Sequence, residues 1–114
     1  MSTVTYIRYP SSSISGTVSA LPAGLKNGGR VTEVTLNSAT WTALPPTPLS
    51  ARNALAVQNS SGIEIKVNYS AGIAGYHGII IAAGSERSYD ITDAIVLYAK
   101  SASGTPTINV EELS

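Results

Sequence analysis

Ile63, Ile65, Val67 and Tyr69 alternate with Glu64, Lys66 and Asn68, an apolar set and a polar set repeating every second residue. An α-helix repeats every 3.6 residues and cannot hold two such sets on opposite faces, whereas a strand does so at each step. The window therefore reads as a strand with one face buried and one solvated, the mark of an antiparallel sheet. No window of the chain shows helical periodicity, and the longest purely apolar run is the five residues Ile79–Ala83. A chain patterned this way is confined to short strands, and it holds no helix able to cross a bilayer.

The remaining strands are read from the same signal and from the residues that interrupt it. Val34 and Leu36 alternate with Glu33 and Thr35, and Trp41 to Leu44 follows. Pro45, Pro46 and Pro48 then form a corner that central strands exclude. Ala54 to Gln58 runs into the turn Asn59, Ser60, Ser61 and Gly62, and Tyr76 to Ala82 contains Ile79, Ile80 and Ile81. Three consecutive isoleucines predict a strand covered on both faces, within the chain or by a neighbouring subunit. Gly84 and Ser85 turn the chain into Glu86 to Ile91. Ala94 to Lys100 and Thr107 to Glu112 are joined by residues 101–106, which read as a hairpin connection. Seven or eight short strands at this spacing predict an all-β antiparallel β-sandwich, jelly-roll-like, over residues 31–114.

Residues 1–30 follow neither period. Tyr6, Ile7, Tyr9, Ile14, Val18, Leu21 and Leu25 are scattered among Ser, Gly and Pro, too irregular for a core of their own. Disordered tails are normally more charged and less aromatic. The segment is therefore expected to be an extended N-terminal arm that orders on a neighbour, with a break at Asn27, Gly28 and Gly29.

Composition narrows the function. The 114 residues carry seven Lys and Arg against seven Asp and Glu, and charged residues are only 12%. The basic residues are dispersed, which argues against nucleic acid and anionic membranes as partners. So neutral a chain is expected to bury part of its surface against another protein, its own copies included. With no Cys and a single His, disulfides, thiolate zinc sites and thiol catalysis are excluded, and no metal or cofactor is expected. Residues 1–10 lack the apolar stretch of a secretory signal, so synthesis in the cytoplasm is expected, and the sequons at Asn59 and Asn68 read as chance.

Catalysis finds no footing in the pattern. A serine triad needs His77, with Ser70 or Ser85 as nucleophile and Asp90 or Asp93 behind it, but no G-x-S-x-G elbow is present. His77 reads instead as a strand-end histidine with a structural hydrogen bond. Two local carboxylates are too few for calcium, so Asp90 and Asp93 read as turn and capping residues. Glu111 and Glu112 are adjacent on the last strand, so one faces in and one out, and they do not form a glycosidase pair. No catalytic residue is assigned. Sugar binding is the alternative that the residue types allow: Trp41, Tyr69 and Tyr76 as stacking platforms, Asn68 and Arg87 as polar contacts. The competing reading packs Trp41 and the tyrosines as the core aromatics of a chain without Phe.

Three strings carry a resemblance. NALAVQNSSGIEIKV, GIIIAAGSERSYDI and AIVLYAKSASGTPTINVEEL fall in order between Asn53 and Leu113. They resemble small β-sandwich virion proteins of tailed bacteriophages, which share a strand ending in Q-N-S, a G-I-x-I strand, a glycine turn, an L-Y-A-x-S-A-S-G-T segment and a last I-x-V-E-E strand. The matching pieces are Gln58 to Ser60, Gly78 to Ile81, Gly84 to Ile91, Leu97 to Thr105 and Ile108 to Glu112. The resemblance implies a non-enzymatic virion component: a capsid decoration or head-fibre subunit, or a tail or connector accessory. Its implied partners are its own copies, as a homo-oligomer, and the major capsid protein or other virion proteins. Residues 1–30 match nothing in that pattern.

Overall fold

The computed structural model describes residues 26–114, which form eight strands and no helix. The arm residues Tyr6, Ile7, Tyr9, Ile14, Val18, Leu21 and Leu25 lie outside the described residues. The strands are β1 (Gly29–Thr35), β2 (Thr42–Leu44), β3 (Ala54–Gln58), β4 (Ile65–Asn68), β5 (Ile79–Ile81), β6 (Glu86–Tyr89), β7 (Leu97–Ser101) and β8 (Thr107–Leu113). They form two four-stranded antiparallel sheets, β1-β8-β3-β6 and β2-β7-β4-β5.

The pairing obeys a simple rule. β1 pairs with β8, β2 with β7, β3 with β6 and β4 with β5. This is one long antiparallel ribbon folded at the β4–β5 turn. The ribbon then rolls up so that β8 also pairs with β3 and β7 with β4. That strand order is the eight-stranded jelly roll, in which successive strands alternate between sheets except across the β4–β5 turn and wrap one core.

Period-two alternation fills that core. Val34 and Leu36, Leu55 and Val57, Ile65 and Val67, Leu97 and Ala99, and Ile108 and Val110 all point between the sheets and are buried. Leu44 and Ile81 complete the cluster, and Tyr89 and Ile91 pack against it. Burying each of the large aliphatics stabilises the fold by about 1.5–3 kcal/mol.

One local expectation changes. Residues 101–106 do not close a hairpin, because β7 and β8 belong to different sheets. The backbone N–H of Ser101 donates to Asn37 O and that of Ala102 to Glu64 O; beyond Gly104, at φ +63°, Pro106 O accepts from Leu36 N. The segment is an arch from one sheet to the other. Within the chain the isoleucine run is covered at Ile81, which is buried, while Ile79 and Ile80 are 52% and 55% exposed. β5 is the outer strand of its sheet, so its outward side chain and its neighbour toward the rim meet solvent.

The first strand also starts earlier than residue 31. Gly29 is already paired with Leu113, and the N–H groups of Asn27 and Gly28 both donate to Ser114 O. The stretch that reads as a break in the sequence is thus backbone-paired to the last residue of the chain.

Candidate functional site

Two fully buried charged side chains, Glu112 and Arg52, meet beside β8. Glu112 follows Ile108 and Val110 on the inward face of β8, and it is the inward member of the Glu111–Glu112 pair. Its carboxylate accepts four hydrogen bonds. Arg30 Nε and Nη2 donate to Oε1 at 3.1 and 2.5 Å, and Leu49 N and Arg52 Nη1 donate to Oε2 at 2.8 and 2.9 Å. Arg52, fully buried, donates Nη2 to the carbonyls of Thr92 at 2.9 Å and Ile95 at 2.5 Å. Only its Nε lacks a partner. Burial alone raises the Glu112 carboxyl pKa. The Leu49 N–H and the two guanidiniums outweigh that and hold it below its ordinary value. Both oxygens of the carboxylate are occupied. The cluster ties β8 and β1 to the loops on either side.

The residues proposed for sugar contact are divided by the structure. Trp41 is buried, but outside the main core: counting back from the inward Leu44, it lies on the outer face of the second sheet. The loop after β4 covers it there, and Trp41 Nε1 donates to Ile73 O at 2.9 Å. That loop answers an electrostatic problem on the sheet. Lys66 and Lys100 are cross-strand partners, and like charges so placed repel. Lys66 Nζ donates to Tyr76 O at 3.1 Å and Lys100 Nζ to Gly75 O at 2.8 Å. The two ammonium groups also lie over the Tyr76 and Trp41 rings, 4.5 and 5.7 Å from the centroids. Tyr76 Oη donates to Glu64 Oε2 at 3.0 Å, and burial together with that carboxylate pushes its phenol pKa up. Asn68 Nδ2 donates to His77 O. Trp41, Tyr76 and Asn68 therefore converge on one loop, which consumes their polar groups.

Tyr69 and Arg87 lie elsewhere. Tyr69 is 61% exposed just past the end of β4, and Arg87 is exposed on β6 with its guanidinium 5.3 Å from the Tyr89 ring centroid. Tyr89 has its own pKa raised, mainly by burial, partly opposed by Arg87 and reinforced by Tyr69, so the three side chains share one neighbourhood.

The residues weighed for catalysis serve turns. Ser70 Oγ accepts from Gly72 N, Asp93 Oδ2 accepts from Ala51 N, and His77 is exposed with its carbonyl held by Asn68. Among the described residues no three His, Asp or Glu side chains converge. A shallow trough of about 310 Å³ crosses the outer face of the first sheet, lined by Val31, Ala56, Gln58, Glu86, Asn109 and Glu111. It offers two carboxylates, Glu86 and Glu111, and a Gln58–Asn109 amide pair.

Sequence reasoning overlooked Asn59, which lies in the Q-N-S string and is completely buried. Its Nδ2 is shared among the carbonyls of Ile63, Ile81 and Ala82, and its Oδ1 accepts from Ser61 N and Oγ. Its backbone bonds Ser85 and Gly84 in addition. This residue pins the β3–β4 turn to the β5–β6 turn. A polar residue directly after a strand, followed by two serines and a glycine, reads locally as a turn, and nothing local signals the distant partners.

No protein-family model matches the chain, and no curated protein matches it. Among the described residues no helix is long and apolar enough to cross a membrane.

Proposed function

We propose that this protein is a non-enzymatic structural subunit of a bacteriophage virion, a capsid decoration or head-associated accessory component that docks through its N-terminal arm and oligomerises. The observation that carries the reading is the series of three strings between Asn53 and Leu113, whose order resembles that of small phage virion sandwiches. The jelly roll agrees with it, because the strings coincide with β3–β4, β5–β6 and β7–β8. The surface supports assembly. Only 12% of residues are charged, and Val31, Tyr69, Ile79 and Ile80 are each more than half exposed. Repeated copies on a shell turn weak contacts of this kind into stable attachment. Immunogold labelling of purified particles from the host that carries the gene tests the assignment. Labelled particles are expected, and label confined to the soluble fraction of the lysate contradicts it.

A second reading is favoured by Tyr69, exposed beside Tyr89 and Arg87: a surface that stacks a host glycan at the β5–β6 side of the sandwich. In this reading Tyr69→Ala abolishes glycan binding and leaves the urea midpoint unchanged. A tail or connector position for the same subunit differs only in where the gold label falls.

A further inference from the structure

Two four-stranded sheets leave four open edges, and three of them are guarded against further pairing. β1 carries Arg30 and Glu33, β6 carries Glu86 and Arg87, and β2 runs directly into Pro45 and Pro46. Charges and prolines on edges are how sheets resist adding strands. β5 has neither. Ile79–Ile81 continues into Ala82 and Ala83 without a charge or proline, and no described strand lies on its outer side. The exposed Ile79 and Ile80 stand on this edge, and the exposed Tyr69 lies two residues beyond Val67, the β4 partner of Ile79.

The same chain supplies a segment of matching chemistry. In residues 3–9 every residue except Arg8 is β-branched or aromatic, and Pro10 ends the run. Such residues favour extended, half-buried backbone. Residues 10–25 hold two Pro and two Gly among Ser, Thr, Ala and apolar residues, without a charge. By chain statistics 16 residues span about 20–24 Å.

We propose that the open edge of β5 is the acceptor for residues 3–9 of a second copy, which adds as a further strand of the β2-β7-β4-β5 sheet. Backbone hydrogen bonds supply the attachment, and Ile79 and Ile80 supply the apolar cover. Donor and acceptor are different surfaces, so each copy can give its arm to one neighbour and receive the arm of another. The inference rests on the assembly reading above and names the surface that receives the arm.

The test uses full-length chains and complementation. Ile80→Lys places a guarding charge on an exposed position and blocks the acceptor. Ile7→Pro removes a backbone donor and blocks the arm. Each variant alone is expected to run as a monomer in light scattering, with an unchanged urea midpoint. Mixed, they are expected to form a one-to-one dimer that grows no further, with amide exchange at residues 79–81 slowed roughly tenfold or more. If Ile7→Pro dissolves the oligomer and Ile80→Lys does not, the acceptor is wrong while arm-mediated assembly stands. A monomeric wild type whose β5 amides lose protection in Ile7→Pro places the arm on its own sheet and overturns the intermolecular contact. A monomeric wild type with unprotected β5 amides overturns both the acceptor and arm-mediated self-assembly.

Discussion

Replacing Glu112 by glutamine keeps the shape of the side chain and removes its charge, leaving Arg52 as a fully buried cation. The carboxylate accepts four hydrogen bonds, three of them from guanidinium groups. A glutamine amide offers one acceptor oxygen, and its NH2 faces either Leu49 N–H or an arginine, donor against donor. Removing one partner of a buried ion pair costs about 3–5 kcal/mol, against a total stability of about 5–15 kcal/mol for a domain. At about 4 °C per kcal/mol for a chain of this size, the melting temperature falls by roughly 12–20 °C. Arg30→Ala is milder, about 1 kcal/mol, because that side chain is 38% exposed and solvent replaces part of the contact. Combining Glu112→Gln with Arg52→Met recovers part of the loss by removing the stranded charge. Urea unfolding with constant m-value measures all three. A Glu112→Gln variant within about 1 kcal/mol of wild type refutes the account of the cluster.

The same cluster sets an acid limit. Glu112 is held below its ordinary value of 4.5 in the fold, so its stabilisation is fully present above pH 4.5 and is lost as pH falls through the folded-state value. Urea midpoints measured from pH 6 downward show a decline that Glu112→Gln flattens. Asn59→Ala strips the partners from buried carbonyls of both turns and costs about 2–4 kcal/mol by the same assay, although it removes no apolar surface. Lys66→Met with Lys100→Met removes the ammonium donors that hold Gly75 O and Tyr76 O. The loop then loosens over Trp41, and the emission of this single tryptophan moves to the red. At Gly78 a Cβ would stand 2.4 Å from Val67 O, so Gly78→Ala displaces β5 and destabilises by more than the ~1–2 kcal/mol expected for Gly75→Ala, where only the positive φ is at stake. Thermal melts of the two alanine variants decide the order.

What the sequence makes legible follows from the period of two. It identifies Ile65 and Val67 as core, Ala54–Gln58 as a strand, and Glu111 and Glu112 as a pair split between faces, because each statement needs only local parity. Parity does not say what covers a face. Trp41 has the parity of the outward side, and a loop some thirty residues later in the chain makes that side a buried one. Tyr69 continues the apolar set of β4, yet the strand ends at Asn68, whose side chain turns to bond His77 O and Tyr69 N. Partner choice is equally hidden. Residues 101–106 carry every local mark of a hairpin, and the arch is imposed by Asn37, Glu64 and Leu36, which supply the partners on both sheets. Arg52 meets Glu112 across 60 residues of sequence.

The proposed role requires this jelly roll to assemble with copies of itself. Light scattering of the full-length chain after gel filtration, over a hundredfold range of concentration, tests it most directly. A single discrete multiple of the 11.7 kDa chain mass is the predicted result. A mass of one chain at every concentration contradicts it.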